Sequence, residues 1–405
     1  MPLLKNISTL YVCPDEGDQS DIRPVHDAVI SWKEGVIEWA GPKSEFPGRE
    51  DEYEVLNAGG RIVIPGLVDC HTHLAFGGWR PDEFEMRVQG KSYLEISRSG
   101  GGILSTVKET RSSHENELYK KASGLLDKIN RSGTTTIECK SGYGLSLKDE
   151  IKTLRVYDRL RFNNKAHIIS TFLGAHTVPP EFQDQRESYI RLLTDDIIPR
   201  VGEEKLAKFC DVFVEESAFS VDEARQILET GKQYGMRPKV HADQLSSGGG
   251  AELAAETGAI SADHLEKVSD TGIRMMAESG VVAVTLPFAS LYTQESFLDC
   301  RKLIDEGVQV AVATDFNPGS APCYDLPLAM MLACNQSRLT PAQALKGATI
   351  YGAKAIGMES STGSLEKGKS ADFLVIDVPS VNFWMYQFAP DRKMEVFLKG
   401  ECIRS

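Results

Sequence analysis

Hydrophobic positions in the central part of the chain follow two different patterns. Short apolar runs, rich in β-branched residues, are separated by longer segments in which apolar residues recur every three to four positions. The runs are residues 62–68, 134–138, 167–173, 211–214, 238–241, 259–262, 281–286 and 308–313. The segments predicted to be helical include 115–130, 147–161 and 221–234. This alternation of strand and helix predicts an α/β protein with a parallel sheet.

The number of units narrows the choice of fold. Eight strand–helix units spread over about 300 residues match the length of a closed (β/α)8 or TIM-like barrel. A doubly wound open sheet is the alternative, and it would predict a glycine-rich turn for phosphate binding after the first strand. The chain has Cys70-His71-Thr72-His73 at that point instead. We therefore expect the barrel.

The two ends of the chain carry β patterns of their own. The apolar runs there are residues 8–12, 28–32, 36–40, 371–377 and 395–398. Neither end has enough strands for a stable sheet by itself. We therefore predict that residues 1–61 and 362–405 together form a small β-sandwich domain, and that residues 62–361 form a catalytic barrel domain.

Composition and charge limit the class of protein. The chain has 405 residues, of which 41% are hydrophobic and 25% charged, so it can bury a large core. Its net charge of −13 argues against nucleic acid or an anionic membrane as a partner, although a few arginines could still hold a small anion. The 8 cysteines form no CxxC pair, and no apolar run approaches ~20 residues. We expect a cytoplasmic protein with reduced thiols.

Histidines follow several of the predicted strands. In a (β/α)8 barrel, the side chains that carry the chemistry lie at the carboxyl ends of the strands. Five of the 8 histidines lie after such ends, and these are His71, His73, His176, His241 and His264. His71 and His73 are two residues apart on a strand, so they share one face. Asp315 follows the eighth run.

This pattern points to a metal-dependent enzyme. Three imidazoles and one carboxylate, from His71, His73, His241 and Asp315, form a donor set that suits one divalent ion, Zn or Fe. Water bound to such an ion ionises near neutral pH and becomes a nucleophile. Asp315 could both contact the ion and take the proton of the water. The donor types do not distinguish Zn from Fe.

Several motifs resemble known families. The segments PGLVDCHTH, KVHADQ, SADHL and ATDFNPG resemble the amidohydrolase superfamily, and TFLGAHTVPPEF, ECKSGYG, RSGGGI and VHADQLSS resemble its imidazolonepropionase family. The likeness covers nearly the whole chain. It implies hydrolysis of 4-imidazolone-5-propanoate to N-formimidoyl-L-glutamate in histidine degradation. It also implies a small-molecule substrate as partner, one divalent metal ion as cofactor and a homodimer.

The resemblance also assigns roles to individual residues. Arg80 would bind the propionate carboxylate of the substrate, as a guanidinium fork does. The ring and product pocket would be lined by Tyr143, His176, Asn317, Gly319 and Ser320. His264 would polarise the reacting carbonyl or steady the attacking water. Some relatives have Glu where this chain has Gln244, and an amide cannot take a proton. We therefore assign hydrogen bonding to Gln244 and the base role to Asp315.

Other functions are compatible with the same metal site. Another cyclic amidohydrolase or a purine deaminase would use the same ligands, and the motifs around Arg80, Tyr143 and His176 favour the imidazolone acid. A catalytically silent barrel that acts as a binding protein would be expected to lack a ligand or Asp315. None of these residues is missing.

Other polar residues at strand ends leave questions open. In some relatives a carbamylated lysine from the fourth strand bridges two metal ions. Lys140 follows the second predicted strand, so we expect one ion. Glu215 and Glu216 follow the fourth strand and are equally compatible with contact to solvent or with support of the site.

Overall fold

The computed structural model describes residues 1–91, 101–388 and 393–404. The strands are β1 (Pro2–Tyr11), β2 (Pro24–Lys33), β3 (Val36–Pro42), β4 (Glu54–Asn57), β5 (Ile62–Pro65), β6 (Leu67–Asp69), β7 (Thr134–Lys140), β8 (His167–Ala175), β9 (Phe209–Val214), β10 (Arg237–Ala242), β11 (Ser261–His264), β12 (Val282–Thr285), β13 (Val310–Val312), β14 (Phe373–Ile376), β15 (Met394–Leu398) and β16 (Glu401–Arg404). They form two sheets.

The helices lie mainly between the strands of the second sheet. They are α1 (Pro81–Val88), α2 (Ile103–Ser112), α3 (Glu115–Arg131), α4 (Leu147–Asn163), α5 (Arg186–Arg191), α6 (Ile198–Glu203), α7 (Val221–Gln233), α8 (Gly250–Thr257), α9 (Asp270–Ser279), α10 (Pro287–Thr293), α11 (Cys300–Asp305), α12 (Leu326–Gln336), α13 (Pro341–Gly347), α14 (Ile350–Lys354) and α15 (Val381–Tyr386). Single turns of 3₁₀ helix cover Lys43–Glu45, Glu50–Glu52 and Pro180–Phe182, and a π-helical turn covers Leu192–Ile197. The predicted helices 115–130, 147–161 and 221–234 correspond to α3, α4 and α7.

The second sheet is the predicted parallel barrel. Its strands β6 to β13 pair in chain order, and all the pairs are parallel. The circle closes just beyond the ends of β6 and β13, where Asp315 N donates to His71 O at 3.0 Å and His73 N donates to Phe316 O at 2.8 Å. The prediction of a (β/α)8 barrel is confirmed, and the open sheet is wrong. The closing hydrogen bonds also bring the candidate metal ligands of the first and eighth strands side by side.

The first predicted run is divided between the two sheets. Residues 62–68 were predicted as one strand, but β5 pairs antiparallel with β14 of the terminal sheet, and β6 begins the barrel. The break falls at Gly66, where a Cβ atom would lie 2.3 Å from Thr135 Oγ1, so the chain passes too close to β7 for any side chain. The division into domains at residues 61 and 361 remains a proposal.

Both ends of the chain build the other sheet, as predicted. Its strand order is β16-β15-β14-β5-β1-β2-β3, with β4 beside β1. The rings of Trp32 in β2 and Phe373 in β14 lie 5.3 Å apart, although three strand spacings of about 4.8 Å separate these strands along the sheet. The sheet therefore curls over an apolar core of its own. Strands β4, β5 and β16 were not predicted in this sheet.

Helix α3 shows how the helices pack on the barrel. Its buried apolar residues are Leu118, Ala122, Leu125, Leu126 and Ile129, which follow the helical period and form one face. Apart from the buried Asn130, the polar residues of the helix are exposed or half-buried. At its start, Glu117 Oε2 accepts a hydrogen bond from His114 N at 2.9 Å, which fixes the first turn. The rigid shell that results holds the carboxyl ends of the strands in place.

Most of the cysteine side chains lie in the interior of the protein. All eight cysteines are free, and five of them are buried. Burial raises the pKa of Cys13 and that of Cys300 to about 12, so both groups stay protonated thiols. None of the helices in the described ranges is both long and apolar enough to cross a membrane.

Candidate functional site

Five imidazoles meet at the carboxyl end of the barrel. The ring centroids of His71 and His241 are 4.6 Å apart, and those of His241 and His264 are 5.5 Å apart. His73 and His176 stack at 5.2 Å with an angle of 15° between their planes. The five residues come from four separate strands, so only the closed barrel brings them together. These are the five histidines that the sequence placed at strand ends.

Asp315 completes this cluster from the end of the eighth strand. Its Oδ1 lies 3.4 Å from His71 Nε2 and 3.5 Å from His73 Nε2. Burial alone would raise the pKa of Asp315, but its close contacts with the side chains of His71 and His73 hold it well below its usual range. The side chain is therefore a carboxylate, as a metal ligand or a general base requires.

Two residues of the cluster have a strained backbone. Asp315 has φ = 55° and His264 has φ = 82°, in the left-handed region that non-glycine residues rarely adopt. Such conformations cost about 1–3 kcal/mol each and concentrate at functional sites. At both positions this backbone conformation at the strand end places the side chain in the cluster.

The donor atoms of the cluster fit a divalent cation. His71 Nε2 and His241 Nε2 are buried and have no hydrogen-bond partner among the described residues. Donor atoms of His71, His241 and His264 all lie within 4.8 Å of one another, as do those of His71, His73 and Asp315. A buried nitrogen without a partner is costly, and a metal ion satisfies it. The four ligands predicted from the sequence are all present, and His264 offers a fifth donor.

A carboxylate lies behind each of two candidate ligands. Asp263 Oδ2 is 2.6 Å from His71 Nδ1, and Asp211 Oδ2 is 3.1 Å from His241 Nδ1. The hydrogen bond to Asp263 holds the proton of His71 on Nδ1 and leaves Nε2 available as a ligand, and the charge of Asp211 close to His241 Nδ1 favours the same arrangement there. Sequence reasoning missed both. Only their places in the sequence could have pointed to them, because Asp263 directly precedes His264 and Asp211 lies in a predicted strand.

Two buried lysines compensate these carboxylates. Lys140 Nζ lies 2.7 Å from Asp211 Oδ2 and 3.3 Å from Asp263 Oδ2. Lys239 Nζ lies 3.8 Å from Asp263 Oδ2 and 2.9 Å from Glu138 Oε2. Burial lowers the pKa of Lys140, but these carboxylates outweigh it and raise the pKa above its ordinary value. The Lys140 amine is therefore protonated and forms buried ion pairs with both carboxylates.

Burial keeps most of the imidazoles neutral. It lowers the pKa of His241 to about 4 and that of His264 to about 3. It also lowers the pKa of His176 well below the ordinary value, and the neighbouring His73 and His241 add to the effect. Neutral imidazole is the form that binds metal ions, and one of its nitrogens can still donate a hydrogen bond.

The predicted substrate-binding residues surround one cavity. Its volume is about 770 Å³, and it opens at the carboxyl end of the barrel next to His73, His241, His264 and Asp315. Of the seven predicted residues, six line it, namely Arg80, Tyr143, His176, Gln244, Asn317 and Ser320. The seventh, Gly319, lies directly against the guanidinium of Arg80. The sequence motifs therefore converge on one site.

Tyr143 and His176 form an aromatic wall in this cavity. Their ring centroids are 5.5 Å apart, and His176 Nδ1 lies 3.2 Å from Gly142 O. Tyr143 also lies 5.6 Å from the ring of His73. Aromatic faces in this arrangement suit a flat heterocyclic ring.

Arg80 offers hydrogen-bond donors in a buried setting. Its side chain is 8% exposed, and its Nε has no hydrogen-bond partner among the described residues. A guanidinium with donors to spare binds a carboxylate well, often through two hydrogen bonds. The RSGGGI motif covers residues 98–103, of which 98–100 lie outside the described residues.

Buried carboxylates hold the loops that carry the site residues. Glu150 Oε1 accepts hydrogen bonds from Gly144 N and Leu145 N, both at 2.8 Å, and so fixes the turn that presents Tyr143. Asp243 Oδ1 accepts from Gly248 N at 2.8 Å. The sequence did not point to either acid, because their partners are backbone groups.

Glu215 and Glu216 have different environments. Glu215 Oε2 accepts from Leu245 N at 2.9 Å and from Ser246 N at 3.2 Å, so it supports the loop that follows Gln244. Glu216 is exposed and lines the cavity at its rim. The sequence left open whether these residues contact solvent or support the site, and Glu215 supports the loop.

Comparisons with known proteins identify the family of the chain. The family model of the Amidohydrolase family matches residues 62–403. An imidazolonepropionase of Geobacillus thermodenitrificans is 48% identical over 385 residues, which cover 94% of this chain and 91% of the relative. One of Clostridium tetani is 43% identical over 391 residues, which cover 95% of this chain and 93% of the relative.

A solved structure shares the architecture at low sequence identity. A triazine hydrolase variant superposes with a TM-score of 0.77 and 14% identity, over 99% of this chain and 94% of the other. At this identity the likeness concerns the fold alone. It extends over both the barrel and the terminal sheet, because nearly the whole chain is covered.

Proposed function

The chain belongs to the amidohydrolase family, and on that premise we propose how its barrel site acts. It is a hydrolase of the imidazolonepropionase type, which converts 4-imidazolone-5-propanoate to N-formimidoyl-L-glutamate in histidine degradation. The observation that carries the assignment of the site is the convergence of five imidazoles and Asp315 beside one cavity that the buried guanidinium of Arg80 also lines.

Binding of the substrate uses both ends of the cavity. Arg80 takes the propionate carboxylate through its fork of donors. Tyr143 and His176 cover the faces of the ring. Asn317 and Ser320 line the same cavity, and Gln244 supplies hydrogen bonds but no base. The substrate is thereby fixed with its ring amide next to the imidazole cluster.

One divalent ion, Zn or Fe, would be held by His71, His73, His241 and Asp315. When bound, it supplies the Lewis acidity that ionises a water molecule near neutral pH. The orphaned Nε2 atoms of His71 and His241 support this assignment. Asp263 and Asp211 orient the two rings from behind.

Two side chains of the cavity handle the protons and the developing charge. Asp315 takes a proton from the attacking water, and the oxygen forms a bond to the ring carbonyl carbon. His264 donates a hydrogen bond to the carbonyl oxygen as that oxygen becomes negative. The ring C–N bond then breaks, and Asp315 returns the proton to the nitrogen. The product leaves as the open-chain N-formimidoyl acid.

A direct assay tests this proposal. Freshly prepared imidazolone propionate is added to the purified protein, and the loss of the ultraviolet band of the ring is followed. We expect turnover that a chelator abolishes and that added Zn or Fe restores. Turnover that survives complete removal of metal would overturn the metal assignment. Turnover of a hydantoin, dihydroorotate or a purine in preference to the imidazolone would favour the rival activities.

The state of the protein in the cell is also a proposal. We infer a cytoplasmic homodimer with neither a nucleic acid nor a membrane as partner. The eight free thiols and the net charge of −13 support this view. Sedimentation velocity of the metal-loaded protein measures the oligomeric state, and a monomer at micromolar concentration would contradict the dimer.

A further inference from the structure

Arg80 shares its buried position with a carboxylate. Glu83 lies one turn further along in α1, and its Oε2 is 3.6 Å from Arg80 Nη1. The two side chains are only 8% and 9% exposed. Because salt and water screen buried charges weakly, each group strongly affects the other and any ligand that binds next to them.

Glu83 cannot move away from Arg80 without losing another contact. Its Oε1 accepts a hydrogen bond of 2.7 Å from Gly102 N. Gly102 has φ = 77° and directly precedes α2, so the carboxylate contacts the backbone at the start of that helix. Glu83 Oε2 has no hydrogen-bond partner among the described residues. One oxygen is therefore anchored, and the other stays beside the guanidinium.

This arrangement affects anions of different charge differently. Arg80 and Glu83 together carry no net charge, so an arriving ligand gains one favourable and one unfavourable interaction. The second negative charge of a dianion strengthens the attraction to Arg80 and the repulsion by Glu83 alike, so the pair gives no net gain that offsets the greater cost of removing a dianion from water. Arg87, whose Nη1 donates to Gly319 O at 3.4 Å, attracts both kinds of anion.

We propose that Glu83 is the residue that sets the charge specificity of this anion subsite. It allows Arg80 to bind a singly charged carboxylate and disfavours a doubly charged phosphonate or phosphate on the same arm. The inference deepens the proposed function and rests on it, because it requires Arg80 to hold the acidic arm of the ligand.

The experiment compares two ligands that differ only in their anionic group. Each has an imidazole ring with a two-carbon arm, which ends in a carboxylate or in a phosphonate. Calorimetry on the metal-loaded protein at about pH 8.5, where the phosphonate is a dianion, gives both dissociation constants. We expect the carboxylate to bind at least about tenfold more tightly. In Glu83→Gln we expect this ratio to fall by about tenfold, mainly through tighter binding of the phosphonate.

The matched control is Asp82→Asn. Asp82 is the neighbouring residue in α1 and is exposed, so its removal changes the net charge equally without changing the subsite. The ratio should stay at the wild-type value. Glutamine at 83 keeps an oxygen for Gly102 N, and a thermal unfolding curve shows whether that variant is folded.

Three outcomes would overturn the proposal. Wild-type protein that binds the phosphonate as tightly as the carboxylate contradicts it without any variant. The ratio of the two dissociation constants could be unchanged in Glu83→Gln while Arg80→Ala weakens the binding of both ligands. That result would support Arg80 as the anchor and contradict only the role of Glu83. If Arg80→Ala changes neither affinity, Arg80 does not bind the acidic arm, and both the proposed anchor and the role of Glu83 are contradicted.

Discussion

The guanidinium of Arg80 rests directly on Gly319. A Cβ atom at position 319 would lie 1.4 Å from Arg80 Nη2 and 1.9 Å from its Cζ. Gly319 is itself fixed, because its amide donates to Asn317 Oδ1 at 2.8 Å. Position 319 therefore requires glycine, because any side chain there would overlap the guanidinium of Arg80. It lets the anion anchor lie flat beside the loop that follows Asp315.

Gly319→Ala should displace Arg80 and weaken the binding of the substrate. We expect KM to rise about tenfold or more, with a smaller fall in kcat, because the carboxylate anchor acts mainly in binding. Steady-state kinetics with imidazolone propionate measure both constants. Gly124→Ala is the control, because it lies in α3 where a Cβ meets nothing within 4 Å. A KM that is unchanged in Gly319→Ala would contradict the assignment of the anchor.

Asp315→Asn should preserve the fold and lose most of the turnover. Asparagine has nearly the same shape but cannot accept the proton of the water. General acid–base catalysis of this kind contributes about 10²–10⁴ in rate, so we expect kcat to fall in that range. The metal content of each preparation must be measured in parallel. Asp305→Asn, at an exposed site, is the control. Near-normal turnover in the metal-loaded Asp315→Asn protein would exclude Asp315 as the base.

Asp211→Asn should weaken metal binding without removing any ligand. The variant takes the charge away from the group that orients His241 and lies 2.7 Å from Lys140. Loss of such a partner typically costs 10–100-fold in metal affinity. Competition with a fluorescent chelator measures that affinity independently of turnover. Asp222→Asn, an exposed position in α7, should leave it unchanged. The same affinity in both variants would show that Asp211 does not support the site.

The barrel itself could be predicted because its strands are fully buried. Seven of the eight predicted runs became strands within a few residues of their predicted limits, since continuous apolar runs between amphipathic helices are typical of parallel strands. The exception is the first run. Residues 62–68 are apolar throughout, but Gly66 divides them between two sheets. The packing of residue 66 against Thr135 is a long-range contact that no local pattern reveals.

The site was predicted only as far as its residues follow strand ends. His71, His241 and Asp315 were found in this way. The groups that support them were not, because their roles come from contacts across the barrel. Asp263 reaches His71 over 192 positions in the chain, and Lys140 reaches Asp211 over 71. A buried lysine in a strand has no sequence signal of its own, since lysine is usually exposed.

Asp243→Ala should destabilise the protein and slow turnover. The Asp243 carboxylate accepts backbone hydrogen bonds from Gly248 N at 2.8 Å and from Ala251 N at 2.9 Å, and it lies two residues after His241. Buried N–H groups without a partner cost about 1–3 kcal/mol each, so the loop should shift. Urea unfolding and kcat report the two effects. Asp270→Ala, at the exposed start of α9, should change neither by much. Normal kcat in Asp243→Ala would show that the loop does not position the site.

The stability of the protein should depend on pH through an ion pair beside the barrel mouth. Glu223 Oε1 and Oε2 accept from Arg186 Nε and Nη2 at 2.5 and 2.7 Å, and Glu223 Oε2 also accepts from Ser220 N at 2.9 Å. The hydrogen bonds from Arg186 lower the pKa of Glu223 from 4.5 to about 2. The pair links α5 to the start of α7.

Because the pKa of Glu223 is lower in the folded state than in the unfolded state, its contribution to stability is complete above about pH 5 and declines as the pH falls toward 2. Glutamine at 223 keeps the contact with Ser220 N but has no charge to titrate. The free energy of unfolding of the wild-type protein should therefore exceed that of Glu223→Gln by a constant amount between about pH 6 and 8. This difference should shrink between about pH 5 and 3, as measured by urea unfolding at each pH. A difference in unfolding free energy that grows on acidification would mean that folding raises the pKa of Glu223. That result would contradict a stabilising ion pair with Arg186.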